Sequence, residues 1–394
     1  MIPPNQLSLL QVIKGLDIGG YNGGSEKFGL ELSQHLAKEG VQVYLLAFQQ
    51  HHTPTERRYH DILNEKGVEI LYGPQSITGG MIPYLRDISA FCKEKQIKII
   101  HSHFQVGSLV STYLRISKAV PIAIRTAHIS QEWGRGLIPW LARRIFTDWI
   151  FPILLDAEVG VSDAIRTQLE RHPGSWLMKK KPSRIYNGLP ETFFDEVRNS
   201  DTVAALPASG TGDFIIGSIG RLTRRKGYRY LLAAIHEVSP EIPQLRVWLI
   251  GDGEERSWLE REAQRLGIEQ KVLFLGQRSD VIQLIKQMDV FVLPSLDEGL
   301  PTAILESMAC KVPVIATDIP GTREIVTSGF NGWLIPPKDI RALGRAIIET
   351  YQLPELREAY AKNAVQQLDT FSIRSITRQY LDLYTHLLGK RSAA

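Results

Sequence analysis

An α/β protein of two doubly wound domains is the fold class that the sequence predicts, and three observations predict it. The chain has 394 residues, too long for one ordinary core and suited to two domains of roughly 150–200 residues each. Short apolar, β-branched runs alternate with longer helix-period stretches, the pattern of a parallel sheet covered on both faces. The alternation breaks once, at 197–213, where Asn199, Ser200, Asp201, Pro207, Ser209, Gly210 and Gly212 leave little periodicity, and then restarts.

In the first half the spacing predicts strands at 7–13, 41–47, 68–71, 97–101, 121–125, 157–161 and 184–186, with helices over stretches such as 26–39 and 83–95. After the break it predicts strands at 214–219, 245–250, 271–275, 289–293, 312–316 and 333–335, most followed by a helix, the last near 339–353. The domains are then 1–196 and 214–370, joined by a linker at 197–213. A terminal helical segment, 371–394, is expected to cross back to the first domain. Two such sheets facing each other bring the C-terminal ends of their strands to one central cleft, where ligands of doubly wound folds bind.

Composition narrows the function classes. Hydrophobic residues make up 43% and charged residues 22%, a globular balance. The net charge of +4 is too small to imply nucleic acid, and no nucleic-acid partner is expected. Between positions 135 and 184, however, nine basic residues face five acidic ones, so this region alone carries an excess equal to the whole net charge. Cys92 and Cys310 lie far apart without metal-ligand spacing, which predicts reduced thiols and a cytoplasmic protein. No leader-like N-terminus and no apolar run of about 18–20 residues is present, so no membrane crossing is expected.

Three loops carry candidate chemistry. The first, Gly19-Gly20-Tyr21-Asn22-Gly23-Gly24-Ser25-Glu26, lies between the first strand and the first helix. Its glycines and the helix N-terminus suit a diphosphate, although a mobile turn has the same composition; it is not the dinucleotide Gly-x-Gly-x-x-Gly fingerprint. The second, Gly220-Arg221-Leu222-Thr223-Arg224-Arg225-Lys226-Gly227, puts four cations at the equivalent point of the second domain. Arg221 and Lys226 are the favoured phosphate ligands, with a solvated charge run as the plainer alternative. The third runs from Ser295 to Glu306. Glu298 falls in the loop before a helix, and Glu306 falls on that helix inside an apolar run, where it needs partners such as a pair of sugar hydroxyls or a structural cation.

Glu298, seven intervening residues and Glu306 resemble the two-glutamate signature of the retaining GT-B glycosyltransferases of family 4, the glycosyl transferases group 1. Gly220-Arg221-Leu222 with Lys226-Gly227, Gly251-Asp252-Gly253, Pro313-Val314-Ile315-Ala316-Thr317, Gly321 through Glu324 and Gly329-Phe330-Asn331-Gly332 extend the resemblance. Gly23-Gly24-Ser25-Glu26, Val161-Ser162 and Tyr186-Asn187-Gly188 extend it through the first half. Lys98, where an acidic residue is common, and Lys311, where a glycine is usual, depart from the pattern.

The resemblance implies a GT-B fold of two Rossmann-like domains, the first binding acceptor and the second binding a nucleoside-diphosphate sugar, UDP or GDP in type. It implies that Glu306 holds the donor ribose and that Glu298, Gly299, Leu300 and Pro301 contact the donor sugar. Arg221 and Lys226 neutralise the diphosphate, Gly23 and Gly24 approach it, and residues near Gly276 and Arg278 frame the base. His103, the second histidine of His101-Ser102-His103, lies where the family often has a histidine near the reacting face; His128 lines the acceptor side. His101 continues an apolar strand and is expected to be structural.

The implied activity is retaining hexosyl transfer to a glycan or lipid-linked hydroxyl, in cell-surface polysaccharide or glycolipid assembly. No Asp-x-Asp motif occurs, which predicts metal-independent catalysis without a cofactor, the cations stabilising the departing diphosphate. The stretch 133–146 mixes Trp133, Trp140, aliphatics and arginines. It suits either a peripheral contact with an anionic membrane or a helix packed on the first domain. A sugar-nucleotide epimerase, a phosphorylase and a two-domain solute-binding protein share the architecture and are the competing expectations; a dehydrogenase lacks its fingerprint here.

Overall fold

The computed structural model describes residues 3–18, 24–73, 81–128, 140–141, 143–199 and 212–392. The chain divides into two compact units, one made of Met1–Gly188 with Ile373–Ala394 and one of Leu189–Ser372. Each is a parallel sheet with helices on its faces. The thirteen predicted strands are present, with ends shifted by two residues at most.

The first unit holds a 7-stranded sheet in the order β3-β2-β1-β4-β5-β6-β7. Its strands are β1 (Ser8–Gly15), β2 (Gln42–Gln49), β3 (Glu69–Tyr72), β4 (Ile99–Ser102), β5 (Ile122–Ala127), β6 (Ala157–Gly160) and β7 (Ser183–Arg184). Seven of the eight residues of β1 are buried, the polar Ser8 and Gln11 among them, as befits a strand in the middle of a parallel sheet. Helix α1 (Gly24–Lys38) lies close to β1 at Gly29, where a Cβ would stand 2.6 Å from Ile13 Cγ2. The order of strands reverses between β1 and β4, so the switch point lies at their C-terminal ends.

Helix Ile373–Ser392 closes this unit from the far end of the chain and packs on α1. Ile373, Ile376, Tyr380, Tyr384 and Leu388 recur at helical spacing and are all buried, an apolar stripe that fixes which face turns inward. The stretch Arg143–Ile150 winds with π-helical turns, which no periodicity in the sequence predicts.

The second unit holds a 6-stranded sheet in the order β10-β9-β8-β11-β12-β13. The strands are β8 (Phe214–Ile219), β9 (Leu245–Ile250), β10 (Val272–Gly276), β11 (Val290–Leu293), β12 (Val314–Thr317) and β13 (Trp333–Ile335). Its core gathers Ile216, Leu232, Val247, Leu249, Val292 and Ile347 with fully or nearly fully buried side chains. Here the switch point falls between β8 and β11. Of the expected linker, positions 200–211 lie outside the described residues; Val197 to Asn199 finish the helix Glu191–Asn199, which is grouped with the second unit.

Candidate functional site

At the switch point of the second sheet, backbone fits backbone closely. Gly220 N–H donates to Ile250 O at 3.0 Å and Gly251 N–H to Gly276 O at 2.7 Å, tying the ends of β8, β9 and β10 together. A Cβ at Gly251 would stand 2.2 Å from Gly220 O, so only glycine allows that approach. The loop after β8 then makes one tight turn, Arg224–Lys226, and ends at Gly227 with φ 68°. Gly227 combines a left-handed conformation with a Cβ position 2.1 Å from Pro294 O, and both demand glycine. Helix Tyr228–Val238 starts immediately afterwards.

This geometry seats the β8 loop on the loop after β11, where Leu296 N–H donates to Arg225 O at 2.8 Å. Lys226 Nζ reaches Glu298 Oε1 at 2.6 Å, and Ser295 Oγ donates to the same oxygen at 2.6 Å. The two charged side chains retain only 14% and 8% of their exposure, so this is a nearly buried pair. Burial pushes the Glu298 carboxyl up. The charges of Lys226 and Arg225 and the hydrogen bonds from Lys226 and Ser295 outweigh it, and the carboxyl lies below its ordinary value. Arg221 is exposed and has no ion pair or side-chain hydrogen bond among the described residues. Arg224 and Arg225 instead lie 3.8 and 4.0 Å from Glu255 and Asp297. The cation run thus splits into one free guanidinium, one carboxylate-bound ammonium and two structural arginines.

Gly299, Leu300 and Pro301 continue the loop and are buried. Pro301 occupies the cap of helix Thr302–Ala309, one position before its first turn. Glu306 sits half-buried on that helix. Gly321 presses on the same loop, since a Cβ there would be 2.4 Å from Glu298 O. Gly276 ends β10 with φ 65°. Arg278 beyond it is bound by Asp280, its Nε and Nη2 donating at 2.8 and 2.5 Å. Arg278 is therefore not a free cation.

In the first unit the ends of β4 and β5 carry three histidines in contact. His101 is fully buried and bonded at both ring nitrogens, Nδ1 to the Tyr384 hydroxyl and Nε2 to Thr126 Oγ1, each at 2.7 Å. Tyr380 joins from the same helix, its hydroxyl 2.9 Å from Thr126 Oγ1. His103 places Nε2 2.7 Å from Gln11 Oε1 and Nδ1 3.2 Å from His128 Nε2. With Nε2–H of His103 donating to the amide oxygen, Nδ1 is the acceptor and His128 Nε2–H the donor, both rings neutral. Burial drives His101 and His128 down to about 3, and burial with the neighbouring rings drives His103 well below its ordinary value. His101 is structural, as its strand position implied.

Gly23 and the rest of 19–23 lie outside the described residues, as do 129–139 and 142 within and beside the aromatic stretch. Gly24 opens α1, is exposed, and would place a Cβ with no protein atom within 4 Å. Ser295, Gln11, Thr126, Tyr380 and Tyr384 were not foreseen. Only the Ser295-x-x-Glu298 spacing held a local signal: His101 and Thr126 lie 25 positions apart, Gln11 and His103 lie 92, and the two tyrosines bond residues 254 and 283 positions earlier. Among the described residues no group of three or more His, Cys, Asp or Glu side chains is placed to hold a metal ion, and no helix is long and apolar enough to cross a membrane.

Residues 204–367 match the family model of the Glycosyl transferases group 1, and residues 22–193 match that of Glycosyltransferase Family 4. The chain belongs to the family 4 glycosyltransferases of GT-B fold. One relative, the lipopolysaccharide core biosynthesis glycosyltransferase LpsE of Rhizobium meliloti, is 35% identical over 170 residues, 43% of this chain and 49% of that protein. The UDP-Gal:alpha-D-GlcNAc-diphosphoundecaprenol alpha-1,3-galactosyltransferase of Escherichia coli is 25% identical over 310 residues, 75% of this chain and 77% of that one. Relatives matched at 30–35% identity are covered over 45–57% of their own lengths. The fold is shared with HepE of Anabaena, solved in complex with UDP-glucose, at a TM-score of 0.76 and 20% identity over 96% of this chain and 100% of that one.

Proposed function

We propose that this family 4 chain transfers a hexosyl group, with retention, from a nucleoside-diphosphate sugar to a hydroxyl of a glycan or lipid-linked acceptor in cell-surface polysaccharide or glycolipid assembly. The observation that carries the proposal is the Lys226–Glu298 pair at the β8/β11 switch point, with the unpartnered Arg221 on the same loop. A departing diphosphate develops negative charge, and cations already held in place stabilise it without reorganising. Lys226 and Arg221 supply that charge, so the transfer needs no metal. Glu306 is assigned to the ribose hydroxyls, Glu298 with the backbone of Gly299, Leu300 and Pro301 to the sugar, Gly276 and Arg278 to the base, and Gly23 and Gly24 to the diphosphate. His103 is assigned to the reacting face of the sugar and His128 to the acceptor side, where their neutral rings offer hydrogen bonds and not charge.

Glu298 is a poor covalent nucleophile in this setting. Its carboxyl is held below the ordinary range and one oxygen already accepts two hydrogen bonds. Same-face attack by the acceptor hydroxyl, with the leaving phosphate taking its proton, accounts for retention; a glycosyl adduct trapped on Glu298 overturns it. The UDP-glucose bound by HepE and the UDP-galactose named for the E. coli relative favour UDP as the donor base.

The test is thermal unfolding with UDP, GDP, ADP or CMP, with and without EDTA, for the wild type and Glu306→Ala. A diphosphate at about 100 times its Kd stabilises by about 2.7 kcal/mol. UDP is expected to raise Tm in EDTA, and Glu306→Ala to lose the rise. If no diphosphate shifts Tm, the donor site is not where we place it and the transferase proposal falls.

A further inference from the structure

Large apolar side chains are exposed unevenly. Among the described residues, seven of the fifteen exposed large hydrophobics fall between positions 140 and 178: Trp140, Leu141, Ile145, Trp149, Trp176, Leu177 and Met178. Trp176 is 80% exposed and Leu177 56%, far beyond what one stray surface residue needs.

Four of these residues, Ile145 and Trp149 on one element and Trp176 and Leu177 on another, come from elements that touch. The π-helical stretch Arg143–Ile150 packs on helix Pro173–Leu177. Gly174 brings them together, since a Cβ there would stand 2.9 Å from Trp149 O and 3.0 Å from Asp148 O. The backbone of Trp149 on one element therefore adjoins the helix that carries Trp176 and Leu177 on the other.

The surroundings are cationic. Arg171, Lys179 and Lys181 are exposed, and Arg144 keeps 63% of its side-chain exposure. The nearby acids are occupied: Asp148 is buried 3.5 Å from Arg144, and Glu170 is bound by Arg166 at 2.9 Å. Lys180 turns inward, its ammonium donating to Ile153 O and Leu155 O, so of three successive lysines the two outer ones face solvent. Lys179 does so from a left-handed backbone, φ 51°, just past the end of the helix.

We propose that this face of the first unit, Trp140–Trp149 with Trp176–Lys181, docks on an anionic lipid bilayer. Tryptophan rings favour the headgroup layer, where an apolar body and a polar N–H are both satisfied. Flanking lysines and arginines add attraction to anionic headgroups. Protein–protein interfaces are depleted in lysine, so the Lys179 and Lys181 pair favours lipid over a protein partner. The surface adds the 173–181 turn, which periodicity did not flag, to Trp140, Leu141, Arg144 and Ile145, the described exposed residues of the stretch whose composition did. It requires no donor or acceptor and stands or falls apart from the proposed transfer, although a lipid-linked acceptor would reside on such a bilayer.

The test is cosedimentation of the full chain with vesicles of phosphatidylcholine alone and of phosphatidylcholine mixed with phosphatidylglycerol. Binding is expected to the mixed vesicles, to fall as sodium chloride is raised, and to be weak on phosphatidylcholine alone. Removing two cations in Lys179→Ala/Lys181→Ala should lower the partition coefficient roughly thirtyfold. Trp176→Ala/Leu177→Ser should lower it about tenfold or more. All four side chains are exposed, so circular dichroism melts should match the wild type. Independently of these variants, brominated lipid should quench wild-type tryptophan fluorescence, and less so in Trp176→Phe. Failure of the wild type to bind mixed vesicles overturns the proposal, as does binding that neither double variant changes. Self-association abolished by Trp176→Ala/Leu177→Ser, with no vesicle binding, assigns the face to a second copy instead.

Discussion

Lys226 and Glu298 hold each other in a nearly buried pair, and removing one leaves the other exposed to the full cost of burial. In Lys226→Met the Glu298 carboxyl keeps its burial and loses its nearest cation, so its titration should move above the ordinary value of 4.5. The wild-type carboxyl, held below 4.5, contributes stability that is complete above that value and is lost as pH falls through the lowered one. In the variant the sign reverses, and stability is lost as pH rises past 4.5. Urea unfolding should therefore find Lys226→Met about 3–5 kcal/mol weaker near neutral pH, with a gap that narrows on acidification. A gap that stays constant with pH would falsify the pairing as the cause. That Lys226 and Glu298 belong to one site was legible because their chemistry is local, a cation and a carboxylate at fixed distances from two strand ends; the roles proposed for Arg221 and Glu306 rest on the same local signal. Gln11, Tyr380 and Tyr384 were not, because a phenol on the last helix meets a histidine 283 positions earlier only once the fold exists.

Elements meet closely where glycine permits it. Helix Pro320–Arg323 rests against the Glu298 loop through Gly321, whose Cβ would lie 2.4 Å from Glu298 O and 2.8 Å from Gly299 O. Backbone atoms cannot yield as a flexible side chain can, so Gly321→Ala should cost about 1–3 kcal/mol and displace the loop. Gly24→Ala is the contrast at an element end, with no protein atom within 4 Å of its Cβ. Its stability should be unchanged or up to about 1 kcal/mol higher, from the smaller entropy of the unfolded chain. Denaturant midpoints of the two variants decide this; equal losses would mean that the close approach at Gly321 is not what matters. Strands were legible at this scale because burial on both faces enriches them in apolar residues, interrupted in β1 by Gln11 and Lys14 and in β9 by Arg246 alone. The π-helical turns of Arg143–Ile150 were not, since the exposed Arg144, Ile145 and Trp149 follow no core-facing period.

The chain builds most of the first unit, then the whole of the second, and returns to finish the first with helix Ile373–Ser392. The second unit is continuous in sequence, so losing the first need not unravel it. Their titrating cores differ. The first encloses His101, His103 and His128 as neutral rings, packed with Tyr380, Tyr384, Thr126 and Gln11. Their folded values lie below the ordinary 6.5, to about 3 for His101 and His128, so the unfolded chain binds more protons throughout that window. Stability from these rings is complete above 6.5 and falls with pH below it, by up to about 1.4 kcal/mol per pH unit for each ring. Glu298 in the second unit begins to lose its contribution only below 4.5. Calorimetry between those two values should thus show the first unit's transition moving down in temperature more than the second's. Tyr384→Phe, which removes the hydroxyl bonded to His101, identifies the first transition by shifting it. UDP identifies the second by raising it. Transitions that fall together across this range would mean that the buried histidines do not govern the acid response, and that the two units unfold as one.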